Sequence, residues 1–421
     1  MPISLPDRLA TTYTAPFCEG KAVNSILLLL VGCADVSIPF DAATEPPFTG
    51  DDAVSPWGVA DWTVETDGSG DFTSIGAAIR GAADGDWILV GAGTYDETID
   101  YGGKSLWISS RDGKDVTTLN AGRRGYAVSA TSAETAETGF VGFTVENASE
   151  AAFWVVFASL HIEDVTITNT SGAYSVFGSA ADMELQDVVF ENNTQNTAGI
   201  SMSRGSLQAN AITVDCESGG YAVYTGHGYA QIDQSTLTCG RGGYALAAEH
   251  TTGTITRSSL RGNLSVVNED DHPEDLLALV NTVLEGNYSA TYGGALIRNS
   301  VIDGGSFSFT AFAETPGTPV IENSVFMNTT CAISHDAVTS TIRNNAFTDT
   351  TASCNGSILV GVDGNMDGDP DMVDAASGDY HLNSGSPLED AGVDEWDHED
   401  VDGSRNDIGV YGGHFSMDGG W

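Results

Sequence analysis

Arg204, His227, His250 and Asp270 stand at one repeating place in successive stretches of this chain, six residues past a recurring aromatic position such as Tyr221 or Tyr244. Nowhere else do basic or titratable side chains line up over several repeats. An arginine in such a set can hold a uronate carboxylate, and a histidine beside it can act as general base or acid near neutral pH. Glu249, Glu269, Asp271 and His272 surround the set and would raise the histidine pKa values. The plain alternative is four unrelated turn residues.

What must position these residues is a repeat of about 23 residues between roughly 140 and 350, on the pattern apolar-x-x-small-x-apolar-x-Asn/Gly/Cys. It reads VGFTVEN at 141–147, IEDVTITN at 162–169, LQDVVFEN at 185–192 and ANAITVDC at 209–216, and continues to IRNNAFTD at 342–349. From Asn147 the last position steps by 22, 23, 24, 23, 23, 24, 18, 24 and 21 residues to Asp349. Fixed-period similarity marks a stacked array whose units bury their apolar faces against their neighbours. The units alternate with period two and are rich in Val, Ile, Thr and Phe, so each is built of strands. The expected fold is all-β, a right-handed parallel β-helix.

Stacking turns motif positions into columns. The third position reads Asn281, Asn299, Asn323 and Asn344, an asparagine ladder expected to bond side chain to side chain and to tolerate left-handed backbone. Asp164 and Asp187 precede it; two carboxylates ~5 Å apart could hold calcium or act as a pair, although Asp in a solvated turn is the preferred reading. Tyr126, Phe153, Tyr174, Tyr221 and Tyr244 form an aromatic column. Each Tyr lies two residues before an aliphatic, which predicts that it faces the interior. Cys216 and Cys239 are 23 residues apart, as are Cys331 and Cys354, so two disulfides between adjacent coils are expected, with metal binding the alternative. The string DGNMDGDPDMVD at 363–374 matches the start of an EF-hand loop, making Asp363, Asn365, Asp367, Asp369 and Asp374 candidate Ca2+ ligands.

Fifteen basic against 59 acidic residues give a net charge of −44, which argues against nucleic acid or an anionic membrane surface as partner. Residues 1–32 carry an apolar run, Ile26 to Val31, ahead of LVGC at 30–33. That string resembles a bacterial lipobox and would make Cys33 the lipidated first residue of an exported protein. Residues 33–60 read as a flexible acidic tether, 61–362 as the β-helix and 363–421 as a C-terminal cap. Membrane contact is thus expected only through the lipid anchor, at the outer membrane or cell surface, and the chain is expected to be a monomer.

The chain resembles secreted bacterial β-helix proteins of the pectate lyase-like superfamily. DGSGDFTSIGAAIRGAADGDWILVGAGTYDETI at 67–99 is similar to the opening of pectin methylesterases, with a capping helix at about 75–83 and a G-x-Y-x-E string at Gly93, Tyr95 and Glu97. GDPDMVDAASGDYHLNSGSPLEDAG at 368–392 and DGSRNDIGVYGG at 402–413 resemble the closing segment of exported β-helix proteins. The catalytic strings of the family's enzymes are missing. Gln186-Asp187 is the nearest match to the esterase Gln-Asp-Thr string, and Arg298 and Arg343 share a motif position without lying on adjacent coils. Fold alone carries no activity. The resulting expectation is a surface-anchored protein that binds polysaccharide or serves as an adhesive or structural element of the envelope. The alternative is a lyase or pectinesterase-like enzyme acting on an acidic glycan.

Overall fold

A computed structural model describes residues 59–193, 197–216, 219–240, 242–268, 276–291, 295–310, 319–335, 341–350, 360–395, 398–413 and 416–417. The chain winds as a parallel β-solenoid of about 11 turns. Each coil passes through three sheets. Sheet 1 opens with Trp62–Val64, Trp87–Val90 and Trp107–Ser110, sheet 2 with Gly93–Tyr95 and Thr117–Asn120, and sheet 3 with Ile99–Asp100 and Tyr126–Ala130. Later strands run on around the corners, and Tyr174–Glu191 contributes to all three sheets.

Period-two alternation decides the inside. In sheet 1 the inward column runs Ile88, Ile108, Phe140, Ile162, Leu185, Ala209, Ile232, Ile255, Leu279, Ile297, Ile321 and Ile342, in parallel register from coil to coil. All are buried, and each large one stabilises by about 1.5–3 kcal/mol. The corner between sheets 1 and 2 is turned by one left-handed residue per coil. Nine of them, from Asp164 to Asn344, have φ between 47° and 53°. Asn and Asp tolerate that region best, which explains their frequency in this column.

Two hydrogen-bonded columns meet at that corner, and they differ from the expected ladder. The four asparagines do not bond one another. Asn281 Nδ2 donates to the carbonyls of Val410 (2.9 Å) and Gly412 (2.7 Å), and Asn299 Nδ2 donates to Asn406 Oδ1 (2.7 Å). Asn323 Oδ1 accepts from Val393 N (2.8 Å), and Asn344 Nδ2 donates to the Ala391 carbonyl (3.0 Å). The C-terminal segment therefore folds back along the corner and is laced to it. The true ladder is one residue further on, where the side-chain oxygen accepts the main-chain N–H of the preceding coil. Ser235 accepts from Ile212, Ser258 from Ser235, Ser300 from Thr282, Ser324 from Ser300, Asn345 from Ser324 and Asn365 from Asn345, at 3.0–3.3 Å.

The N-terminal end is closed by helix α1, Ile75–Gly81, which buries Ile75, Ala78 and Ile79. The G-x-Y-x-E string supports it. Glu97 accepts the N–H groups of Ile75 (2.7 Å) and Gly76 (3.0 Å), while Tyr95 is buried with its hydroxyl on the Gly91 carbonyl (2.9 Å). Lys104 Nζ donates to the carbonyls of Ile79 and Ala82 at the other end, both at 2.7 Å. An anion at the helix start and a cation at its end satisfy orphan backbone groups and complement the dipole. Cys216 and Cys239 are paired in register in sheet 2 and form a disulfide, with Cα atoms 4.6 Å apart. Cys331 lies in the strand Cys331–His335; Cys354 and Cys33 lie outside the described residues.

Candidate functional site

The corner between sheets 3 and 1 is also a single left-handed residue per coil: Phe157, Ala180, Arg204, His227 and His250, with φ between 48° and 60°. Flanking pairs fix them in register, Ser203↔Gly226↔Glu249 on one side and Gly205↔Gly228↔Thr251 on the other. Such a corner projects its side chain outward, and Phe157 is 71% exposed. The left-handed backbone is costly for a non-glycine residue. The next residue is glycine after both Arg204 and His227, and a Cβ at position 205 would lie 1.9 Å from the Ala181 carbonyl oxygen.

Arg204, His227 and His250 thus form one stack, as the repeat predicts. The imidazoles of His227 and His250 lie 4.5 Å apart and 10° from parallel. Arg204 is exposed, and among the described residues no carboxylate meets its guanidinium. Several other arginines in the solenoid are paired. Arg257 bonds Asp233, Arg261 bonds Glu285, and the buried Glu322 lies between Arg298 (3.2 Å) and Arg343 (2.8 Å), joining two positions that are one coil further apart than neighbours. Asp270, Glu269, Asp271 and His272 lie outside the described residues. Glu249 is engaged by the Tyr224 hydroxyl, which donates to Oε2 at 2.8 Å. Burial, and then this carboxylate, push the Tyr224 pKa up to about 12.

The aromatic column is corrected by the structure. Only Phe153 is in the core; Tyr126, Tyr174, Tyr221 and Tyr244 are half-buried on the outer face of sheet 3. As each strand enters sheet 3, two consecutive residues turn inward, such as Ala222 and Val223, both fully buried. Residues i and i+3 then face out, and the two-residue parity argument fails. This spacing brings out aromatics that the column reading missed: Trp154, Phe177 and Tyr224. Tyr126, Trp154 and Phe177 stack along the solenoid at 4.5 and 4.1 Å, and Tyr221 and Tyr244 stack at 5.4 Å. An i, i+3 aromatic pair at strand starts (Tyr174–Phe177, Tyr221–Tyr224) is the signal that could have found them.

The expected metal ligands are placed differently. Asp164 and Asp187 are neighbours across coils, but Asp164 is paired with Lys114. The EF-hand likeness of 363–374 is corrected. Gly364 takes the left-handed corner (φ 75°) with Asp363 just before it at φ 49°, Asn365 ends the internal ladder with its Nδ2 on the Ile342 carbonyl (2.8 Å), and Met366–Asp367 pairs with Ala346–Phe347 in sheet 2. Asp369 Oδ1 accepts the N–H of Asp371 at 2.9 Å, and Asp374 ends the strand Met372–Asp374. The segment is the last half-coil. Among the described residues no group of three or more His, Cys, Asp or Glu converges as a metal-binding cluster.

The arrangement offers stacked imidazoles, an uncompensated guanidinium and a phenol–carboxylate pair along one edge of an aromatic face. These are stacking and hydrogen-bonding groups suited to a polyhydroxylated ligand. No family model and no curated protein matches the sequence. Solved structures similar to this chain include pectate lyase Pel9A, at 13% identity over 81% of this chain and 91% of that one, with a TM-score of 0.45. XylC in complex with xylose is similar at 8% identity over 74% and 87%, with a TM-score of 0.41. The A-module of the mannuronan C-5 epimerase AlgE6 of Azotobacter vinelandii is similar at 12% identity over 70% and 94%, with a TM-score of 0.39.

Proposed function

We propose that this chain binds polysaccharide on the outer face of sheet 3, with the corner residues Arg204, His227 and His250 as the polar margin of that surface. The observation that carries the reading is two runs of outward aromatics, Tyr126–Trp154–Phe177 and Tyr221–Tyr244, beside the left-handed corner that presents Arg204, His227 and His250 on successive coils. Aromatic side chains exposed in rows, with convergent polar groups, match the needs of a ligand that is apolar on one face and hydroxylated at its edges. In this reading Cys33 carries the lipid that tethers the protein to the cell surface.

The test is a titration of the full chain against a panel of soluble polysaccharides, read for binding and for cleavage together. Phe177→Ala and Arg204→Ala should each weaken binding by about tenfold while leaving the melting temperature within a few degrees. Unchanged affinity in both would remove the face from consideration. The stacked imidazoles beside Arg204 favour a second reading, a lyase or pectinesterase-like enzyme on an acidic glycan, in which Arg204 holds a carboxylate and His227 or His250 moves a proton. Ultraviolet-absorbing unsaturated products from pectate or alginate, lost in His227→Ala, would establish the lyase form.

A further inference from the structure

Stacked rings cover one another, so most of the aromatic face of sheet 3 presents ring edges. A ring face opens only where a stack ends. Tyr126 is such an end: Trp154 of the following coil covers one side at 4.5 Å and 18°. The preceding coil places no aromatic against the other side, because the short strand Ile99–Asp100 pairs there, Ile99 against Val128 and Asp100 against Ser129. Helix α1 packs beside this first strand of sheet 3, so the face goes no further. The result is a depression of about 270 Å³ lined by Thr98, Ile99, Asp100, Arg124, Tyr126 and Ser129. That is room on the order of nine waters at ~30 Å³ each, the scale of one sugar ring.

The polar groups around it are held in place. Arg124 donates from Nε to the Ala121 carbonyl (2.9 Å) and from Nη2 to the Asp96 carbonyl (2.8 Å), and among the described residues no carboxylate meets it. Its remaining N–H groups are thus fixed but not neutralised. Asp100 Oδ1 accepts the N–H of Gly102 at 2.8 Å, which orients the carboxylate and leaves Oδ2 to a ligand. Burial, and then Glu150 near its hydroxyl, raise the Tyr126 pKa.

We propose that this depression is the terminal subsite of the sheet 3 face and takes a neutral pyranose unit. The apolar side of the sugar lies on the open face of Tyr126, one hydroxyl donates to Asp100 and a neighbouring one accepts from Arg124. Asp96, Asp100 and Glu150 outnumber the single Arg124 here, and the chain carries a net charge of −44, so a uronate is disfavoured at this position. The inference rests on the polysaccharide-binding reading above.

Calorimetric titration of the full chain with neutral oligosaccharides (xylo-, gluco- and manno-) and with oligogalacturonate and oligoalginate tests it. The expected result is binding of a neutral series that weakens tenfold or more in Tyr126→Ala and in Arg124→Gln, with Tyr126→Phe close to wild type because the ring face is kept. If Phe177→Ala weakens binding while Tyr126→Ala and Arg124→Gln do not, the subsite is overturned and the face stands. If only the uronates bind, the neutral assignment is overturned. If the wild type binds nothing, the face and the subsite fall together.

Discussion

At the scale of single residues, a cation half-buried on sheet 1 shows how this acidic protein spends its few positive charges. His161 stacks on Trp107 at 5.3 Å across Gly139, where a Cβ would lie 2.3 Å from the indole. Its Nε2 is 2.9 Å from Glu163 Oε2 and its Nδ1 3.2 Å from Glu184 Oε2. Burial alone would lower the pKa, but the bonds to Glu163 and then Glu184 outweigh it and raise it to about 9. The imidazolium in turn lowers the Glu184 pKa. A histidine pKa raised on folding stabilises fully below its ordinary value of about 6.5, and the contribution fades as pH rises through about 9. Chemical denaturation at pH 6.5 and at pH 9.5 should differ by on the order of 2 kcal/mol in the wild type and by clearly less in His161→Gln. Equal pH dependence in the two proteins would show that the cation contributes nothing. Little of this was legible in the sequence: His161 and Glu163 share a strand face by alternation, but only register brings Glu184 and Trp107 to them.

At the scale of elements, the C-terminal segment is the part whose fastening can be tuned. Tyr380, Leu388, Ile408 and Val410 pack on Val283, Val301, Val325 and Ala346, the outward column of sheet 2. Earlier in that column stand Thr213, Thr236 and Ser259, at least partly exposed. The switch from hydroxyl to aliphatic marks where the cover begins, a signal present in the sequence once the register is known. Within the segment, Asp400 accepts the N–H groups of Gly413 and Asp407, yet burial pushes its pKa up to about 6. An acid whose pKa is raised on folding favours the folded form below its ordinary value near 4, and that advantage is lost as pH rises through about 6. Amide exchange in 390–413 should therefore quicken between pH 4.5 and pH 7 beyond the intrinsic change. Asp400→Asn keeps the acceptor without the charge and should flatten that response. Exchange that follows only the intrinsic rate in the wild type would count against a role for Asp400.

At the scale of the whole molecule, the net charge of −44 opposes compaction everywhere that cations do not pair with it. Raising monovalent salt from about 20 to 200 mM shortens the screening length from roughly 20 to 7 Å and should raise the melting temperature by several degrees. A flat or falling melting temperature would mean that local ion pairs such as Arg298–Glu322–Arg343 outweigh the global repulsion. The solenoid confines such effects, since each coil touches only its neighbours. The disulfide between Cys216 and Cys239 ties two of those coils directly.

The spacing of apolar and turn residues alone determined the winding, the corner positions, the Arg204–His227–His250 stack and the Cys216–Cys239 pairing, because a 23-residue period places equivalent residues at one strand spacing from each other. Tertiary structure decided which way the tyrosines face, where two inward residues at each strand start shift the parity. It also decided what the four asparagines bind, because their partners lie about 50 to 130 residues away on the returning segment. Contacts along the repeat are encoded by its period; contacts across it depend on where a non-repeating segment comes to rest.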